Sequence, residues 1–210
     1  MTVAIIGTGN MGGGIARLLA TKGIPVVLGA RDPAKAAGLA EEIGYKAQGV
    51  GIEAAVKLAD VVILAVWYPQ LAETIRAAGD LTGKVLVDIS NPVTEDYKAL
   101  RIGHTTSVAE EIQALAPGAK VVKAFNTIFA ELLPAEARAN RAAPVQVYVA
   151  GDDEAAKKAV SDLVAAGGFE PVESGPLTNA RFLEPVGEMN IWFGYFLGQG
   201  QLTAPNWVRA

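Results

Sequence analysis

The sequence predicts a doubly wound α/β protein of Rossmann type: a parallel sheet with helices on both faces and a short helical extension at the C-terminus. Three observations carry this. Short β-branched runs alternate with alanine-rich amphipathic segments along most of the chain. The runs are continuously apolar, as strands buried on both faces must be. The first run, "VAIIG", leads straight into Gly7-Thr8-Gly9-Asn10-Met11-Gly12 and then into a helical pattern.

Taken in order, "VAIIG" is a strand, and Ile15, Leu18 and Leu19 put an apolar face on the helix that follows. "IPVVLGA" is a second strand. "AKAAGLAEEIG" is a second helix, with Asp32 as its cap and Pro33 in its first turn. Next come "VVILAV", "LAETIRAAG", "KVLVDIS", "VAEEIQALA", "KVVKAFN", "VQVYVAG" and "DEAAKKAVSDLVAAGG", alternately strand-like and helix-like until the last strand pair. Ser107 and Glu110 read as a capping box, and Gly79, Gly83 and Gly118 fall where helices should stop. After Gly175 the composition turns to aromatics and glycines. This predicts a dinucleotide-binding domain over 1–174 and a helical, aromatic extension over 175–210 that closes a cleft at the carboxyl edge of the sheet.

The bulk properties narrow the function classes. A chain of 210 residues, 51% of them hydrophobic, can bury one sizeable core. Charged residues make up 19% with a net charge of −4, so no basic face is present for nucleic acid. Without cysteine there is no thiolate chemistry and no cysteine-ligated metal, and no metal site is expected. The apolar run "VVILAVW" is too short to span a bilayer, and the chain opens on a strand rather than on a targeting pattern, so a cytoplasmic protein is expected.

Each glycine of the first turn has a mechanical role in binding a dinucleotide. Gly7 permits the tight turn, Gly9 lets backbone approach a pyrophosphate, and Gly12 lets the helix pack closely on the strand. The end of the second strand then selects the dinucleotide. An NAD site needs a carboxylate there to accept from the ribose hydroxyls. Here Gly29-Ala30 leaves room, Arg31 can fork a 2′-phosphate, and Lys35 lies one helical turn on, so NADP(H) is favoured.

The catalytic cleft should lie beyond the carboxyl ends of the strands. The candidates are Val66, Trp67, Tyr68 and Pro69 after "VVILAV", Asn91 and Pro92 after "VLVDIS", and Asn126 and Thr127 after "VVKAF". Asn91-Pro92 also fits a plain turn. Trp192, Phe193, Tyr195 and Phe196 have helical spacing, which fits packing against the sheet, with a stacking surface for a flat substrate as the alternative. His104 reads as a loop residue, and no catalytic side chain is singled out. Hydride transfer between two bound redox rings needs positioning more than side-chain acids, because the cofactors carry the chemistry.

Together, "GTGNMGGGIARLLATKG" with "VVLGAR", the Trp67-Tyr68-Pro69 loop, "VAGDDEAAKKAV" (149–160) and "GPLTNARFLE" (175–184) resemble the NADPH-dependent coenzyme F420 reductases. The resemblance spans nearly the whole chain, and the tail "LGQGQLTAPNW" is similar to a bacterial branch. The NADPH-oxidising domain of the STEAP metalloreductases is also similar, which adds ordinary flavins to F420 as acceptors. The resemblance implies Thr8, Gly9, Asn10 and Met11 at the pyrophosphate and Arg31 with Lys35 at the 2′-phosphate. Ala30 stands where that family carries a hydroxyl residue, so one phosphate contact is missing. The C-terminal helix would enclose the deazaflavin.

Two other readings stand beside it. The β-hydroxyacid dehydrogenases and pyrroline-5-carboxylate reductases share the opening motif but need a large helical second domain, and the hydroxyacid class a lysine acid within it. This chain has no lysine after Lys158. A non-catalytic NADP(H) sensor would need only the first half of the chain. The apolar tail also suggests a homodimer.

Overall fold

The computed structural model describes residues 1–139 and 141–208. The strands are β1 (Val3–Ile6), β2 (Val26–Ala30), β3 (Gln48–Gly51), β4 (Val61–Leu64), β5 (Val85–Asp88), β6 (Lys120–Lys123), β7 (Gln146–Gly151) and β8 (Glu170–Glu173). They form one sheet in the order 3-2-1-4-5-6-7-8. The α-helices are α1 (Asn10–Thr21), α2 (Pro33–Ile43), α3 (Ile52–Leu58), α4 (Leu71–Ala78), α5 (Val108–Leu115), α6 (Glu154–Ala166) and α7 (Ala180–Ile191).

Strand alternation sorts the core into two layers. Val3, Ile5, Ile63, Val87 and Val122 point to one face, where Ile15 and Leu19 of α1, Ala36 and Ala40 of α2 and Val160 of α6 cover them. Ala4, Ile6, Val62, Leu64, Leu86 and Val121 point to the other, beneath α3, α4 and α5. Each fully buried Ile, Leu or Val contributes roughly 1.5–3 kcal/mol, so both faces of the sheet are strongly anchored. Among the described residues no helix is long and apolar enough to cross a membrane.

The predicted fold class holds, with one correction of direction. β1 to β6 are parallel, but β7 runs antiparallel to β6, through Val122↔Gly151 and Lys123↔Ala150, and β8 is parallel to β7. A parallel strand needs a crossover, usually a helix. After β6 the chain instead makes two short 3₁₀ turns, Ala130–Leu132 and Ala135–Arg138, and re-enters the sheet without crossing it.

The predicted caps are in place at two helices. Asp32 accepts from Ala34 N at 3.0 Å, and Ser107 Oγ accepts from Glu110 N at 3.2 Å while donating to Glu110 Oε2 at 2.8 Å. Gly79 ends α4 with φ 74°. Gly83 and Gly118 do not stop helices. They meet in paired turns, with Gly83 N donating to Gly118 O at 2.8 Å. β3, α3 and β8 are additional to the predicted elements.

Candidate functional site

A cleft of about 640 Å³ runs along the carboxyl ends of β2, β1, β4, β5 and β6. Thirteen of the predicted positions line it: Gly7, Thr8, Gly9, Asn10, Met11, Arg31, Lys35, Val66, Trp67, Tyr68, Asn91, Asn126 and Thr127. Gly12, Pro92 and Pro69 do not; Pro69 lies within the 3₁₀ turn Tyr68–Gln70 that leads into α4. Gly12 is buried against the turn, where a Cβ would meet Gly7 O at 2.2 Å, so its role is the close helix–strand approach. Pro92 is buried and accepts from Arg101 N, which makes it part of the turn after β5.

At one end of the cleft the glycine turn presents bare backbone. Gly7 has φ +122° and no space for a side chain, since a Cβ would lie 2.2 Å from Ala65 O. Gly9 is the opposite case, with nothing within 4 Å of a Cβ, so the surface over it is open. Gly9 caps α1 without a side-chain bond, and no acidic residue occupies the first turn of that helix. The first amides of a helix and its dipole favour an anion, and here both open onto the cleft.

Arg31 and Lys35 line the same end and form no ion pair among the described residues. Gly29 and Ala30 line this end as well, and the packing of Gly29 against its neighbours gives it a second reason to be small. A Cβ on Gly29 would lie 2.6 Å from Ile6 Cδ1 and 2.9 Å from Ala55 Cβ, where α3 packs on β2.

At the other end, Asn91 and Asn126 pair across β5 and β6. Asn126 Nδ2 donates to Asn91 Oδ1 at 2.9 Å and to Leu183 O at 2.8 Å, and Asn91 Nδ2 donates to Asn126 O at 2.7 Å. The preceding Phe125 holds φ 58°, a left-handed conformation costly for a bulky side chain, and the strain sits where the chain turns Asn126 into the cleft. Asn126 Oδ1 and Thr127 Oγ1 are buried with no hydrogen-bond partner. Buried polar atoms are normally paired, so these two call for a ligand group.

α7 closes this end. Gly187 touches the asparagine pair so closely that a Cβ would meet Asn91 Oδ1 at 2.6 Å, and Asn190 Nδ2 donates to Thr127 O at 3.2 Å. Beyond α7, Trp192–Phe196 form a π-helical turn. Phe193, Tyr195 and Phe196 are 43%, 52% and 39% exposed and do not pack against the sheet as their spacing suggested. Of the three, Tyr195 lines the cleft, at its mouth. Tyr195 stands edge-on to Phe129, with ring centres 5.5 Å apart. Tyr97, which sequence reasoning did not single out, links Trp67 (5.3 Å) to Tyr195 (5.9 Å) from the tip of the loop after β5.

Two predicted residues have further roles. Tyr68 lines the cleft but donates its hydroxyl to Glu111 Oε2 at 3.0 Å; burial and that carboxylate push its ionisation upward. His104 is exposed in its loop, away from the cleft.

Sequence reasoning missed a charged cluster directly behind the cleft wall. Lys123, fully buried, donates from Nζ to Asp88 Oδ2 (2.7 Å), Glu184 Oε1 (2.9 Å) and Ser90 O (2.6 Å). Asp88 Oδ1 accepts from Ser90 N and Oγ, and Glu184 accepts from Val108 N at the start of α5. Burial alone would lower the Lys123 ionisation; the two carboxylates overcome it and raise it. Burial, followed by the Asp88 charge, lifts the Glu184 carboxyl above its ordinary value against the pull of Lys123. The available signal was an aspartate and a lysine, each at the fourth position of its strand directly after buried apolar residues.

Comparison with known proteins agrees with this geometry. Residues 2–92 match the family model described as NADP oxidoreductase, coenzyme F420-dependent. The solved structure of a protein from Arthrobacter sp. FB24, provisionally named an F420-dependent NADP-reductase, is 31% identical, with a TM-score of 0.82 and 92% of each chain covered. The chain belongs to the coenzyme F420-dependent NADP oxidoreductase family. Another similar member is the F420-dependent NADP reductase of Methanothermobacter marburgensis, 28% identical over 204 residues and covering 89% of each chain. The family likeness extends to the metalloreductase STEAP3 of Rattus norvegicus, 38% identical over 185 residues, 88% of this chain. The chain spans 36–38% of the length of the STEAP relatives that it matches.

Proposed function

We propose that this protein is an NADPH-dependent oxidoreductase that moves a hydride between the nicotinamide of NADP(H) and a second planar redox cofactor, F420 or a flavin. The observation that carries the reading is the polarity of the cleft along its length. One end offers an uncapped helix N-terminus over Gly9 with Arg31 and Lys35 beyond it. The other offers the unpartnered Asn126 Oδ1 and Thr127 Oγ1 beneath an aromatic mouth.

The residues present fit NADP(H). Gly7, Thr8, Gly9, Asn10 and Met11 would hold the pyrophosphate, and Arg31 with Lys35 the 2′-phosphate. Asn126 and Thr127, braced by Asn91, would take the carboxamide of the nicotinamide, which supplies donors and an acceptor. When bound, the cofactor supplies the hydride. The chain's task is to hold two rings in contact and keep water out, which Trp67, Tyr97, Phe129 and Tyr195 do at the mouth. In this reading residues 1–174 bind the cofactor and residues 175–210 close the acceptor side. Lys123 is no candidate for the acid of a hydroxyacid dehydrogenase, because three acceptors hold its ammonium away from the cleft.

The reading places the protein in the cytoplasm, where NADPH is at hand, as a homodimer. Exposed Phe182, Met189, Phe193 and Leu197 support the dimer, lying on one side of α7 and the turn after it. The test is steady-state NADPH oxidation with F420, FMN, FAD and a ferric chelate supplied in turn. Turnover with F420 or a flavin supports the reading. Tight NADPH binding with no oxidation by any of them overturns it in favour of a sensor.

A further inference from the structure

We infer that the buried Lys123–Asp88–Glu184 cluster is an electrostatic support for the cationic form of the nicotinamide, biasing the cleft toward NADP⁺ over NADPH. The inference rests on the cofactor reading above.

The hydrogen bonds around the cluster define its charge. All three protons of the Lys123 ammonium have acceptors. Every contact to the two carboxylates comes from a donor: Ser90 N and Oγ and Lys123 Nζ to Asp88, Lys123 Nζ and Val108 N to Glu184. Each acid accepts from the Lys123 ammonium and from a backbone N–H, donors that favour its ionised form, against the burial that lifts Glu184. One ammonium and two carboxylates leave an excess of one negative charge in a site where all three side chains are essentially inaccessible to water.

Stability alone does not explain that excess. Burying an ion pair roughly breaks even at best, and a third charge adds desolvation cost without a matching counter-ion. The amide end of α5 at Val108 offsets part of it, as a helix N-terminus carries roughly half a positive charge. The surface arginines Arg181 and Arg101 do not offset it, because each is matched to a carboxylate of its own, Glu110 and Glu95.

The cluster's position gives the excess charge an object. Asp88 is bonded to Ser90, and Ser90 and Asn91 form the cleft wall. Glu184 follows Leu183, whose carbonyl holds Asn126. The charge therefore lies behind the wall at the asparagine end, across a low-dielectric layer that screens it little. A nicotinamide ring is neutral in NADPH. When the C4–H bond breaks and its electron pair leaves with the hydride to a planar two-electron acceptor, the ring becomes a cation. A fixed negative charge behind it favours the charged form in binding and in the transition state alike.

The test is the ratio of dissociation constants for NADP⁺ and NADPH, read from tryptophan fluorescence in the unmodified protein, Glu184→Gln and Asp88→Asn. These isosteric changes each remove one negative charge, from two different elements, so either folded variant decides the matter. The expected result is a rise in the NADP⁺-to-NADPH ratio of about threefold or more in each variant. A purely structural cluster would move both constants by the same factor, and an unchanged ratio overturns the inference while leaving the cofactor reading intact. If the unmodified protein binds neither form, the cofactor reading fails and the inference falls with it.

Discussion

Asn91 and Asn126 are joined by two hydrogen bonds, side chain to side chain at 2.9 Å and side chain to backbone at 2.7 Å, and together tie the end of β5 to the end of β6. They brace each other and leave Asn126 Oδ1 buried without a hydrogen-bond partner in the wall of the cleft. Asn126→Ala should cost about 1–3 kcal/mol of stability, because Asn91 Oδ1 and Leu183 O lose their donor. It should also weaken NADPH binding, whereas chemical denaturation alone would miss that second effect. Equal NADPH affinity in the variant would remove Asn126 from the site.

Gly9 and Gly12 separate binding from folding within one turn. A Cβ on Gly9 meets open space, so Gly9→Ala should change stability by no more than about 0.5 kcal/mol. It should nevertheless reduce NADPH affinity at least about tenfold, since the methyl group would stand where the pyrophosphate approaches. Gly12→Ala should do the reverse and lower the melting temperature first. Thermal unfolding and isothermal titration of the two variants check both halves.

Arg31→Ala should weaken NADPH by about 1.5–3 kcal/mol, the worth of hydrogen bonds to a charged group, and leave NADH almost unchanged. Equal losses for the two cofactors would show that Arg31 does not read the 2′-phosphate.

Lys123→Met should destabilise the protein by about 3–5 kcal/mol, because two buried carboxylates would lose their counter-ion. The Lys123 ionisation is raised in the folded state, so the stability it contributes is fully present below its ordinary value of 10.5 and is lost as pH rises through the higher folded value. Denaturant midpoints followed into the alkaline range should show this loss in the unmodified protein and not in the variant.

The acid side has a different origin. Arg181, bonded at 2.6 and 2.9 Å, and then Ser107 hold the Glu110 carboxyl below its ordinary value of 4.5. A depressed carboxyl contributes stability above that value and loses it as pH falls through the folded one. Glu110→Gln should therefore flatten the fall in denaturant midpoint below pH 4.5. An identical acid limb in both proteins would contradict this.

What the sequence made legible were the features governed by local rules. β1, the glycine turn and α1 follow from glycine spacing and a 3.6-residue period, and thirteen cleft residues were found because strand ends lead to the same edge. β3 was not legible, since "QGVG" is half-exposed and carries two glycines; Gly49 is required only because its Cβ would fall 2.1 Å from the Ala36 backbone. The reversal of β7 was hidden because a buried antiparallel strand has the same apolar run as a parallel one. Lys123, Asp88 and Glu184 come together across 35 and 61 residues of chain, a distance over which local patterning carries no information. Tyr97 was missed for a similar reason, since only the loop after β5 brings it to Trp67.

The most direct measurement of hydride transfer uses NADPH deuterated at both positions of the nicotinamide C4, offered with F420, whose accepting position is carbon and retains the label. The expected result is one deuterium in the reduced F420 and slower oxidation than with unlabelled NADPH. NADPH that binds but neither passes deuterium to F420 nor reduces a flavin would contradict the proposed chemistry.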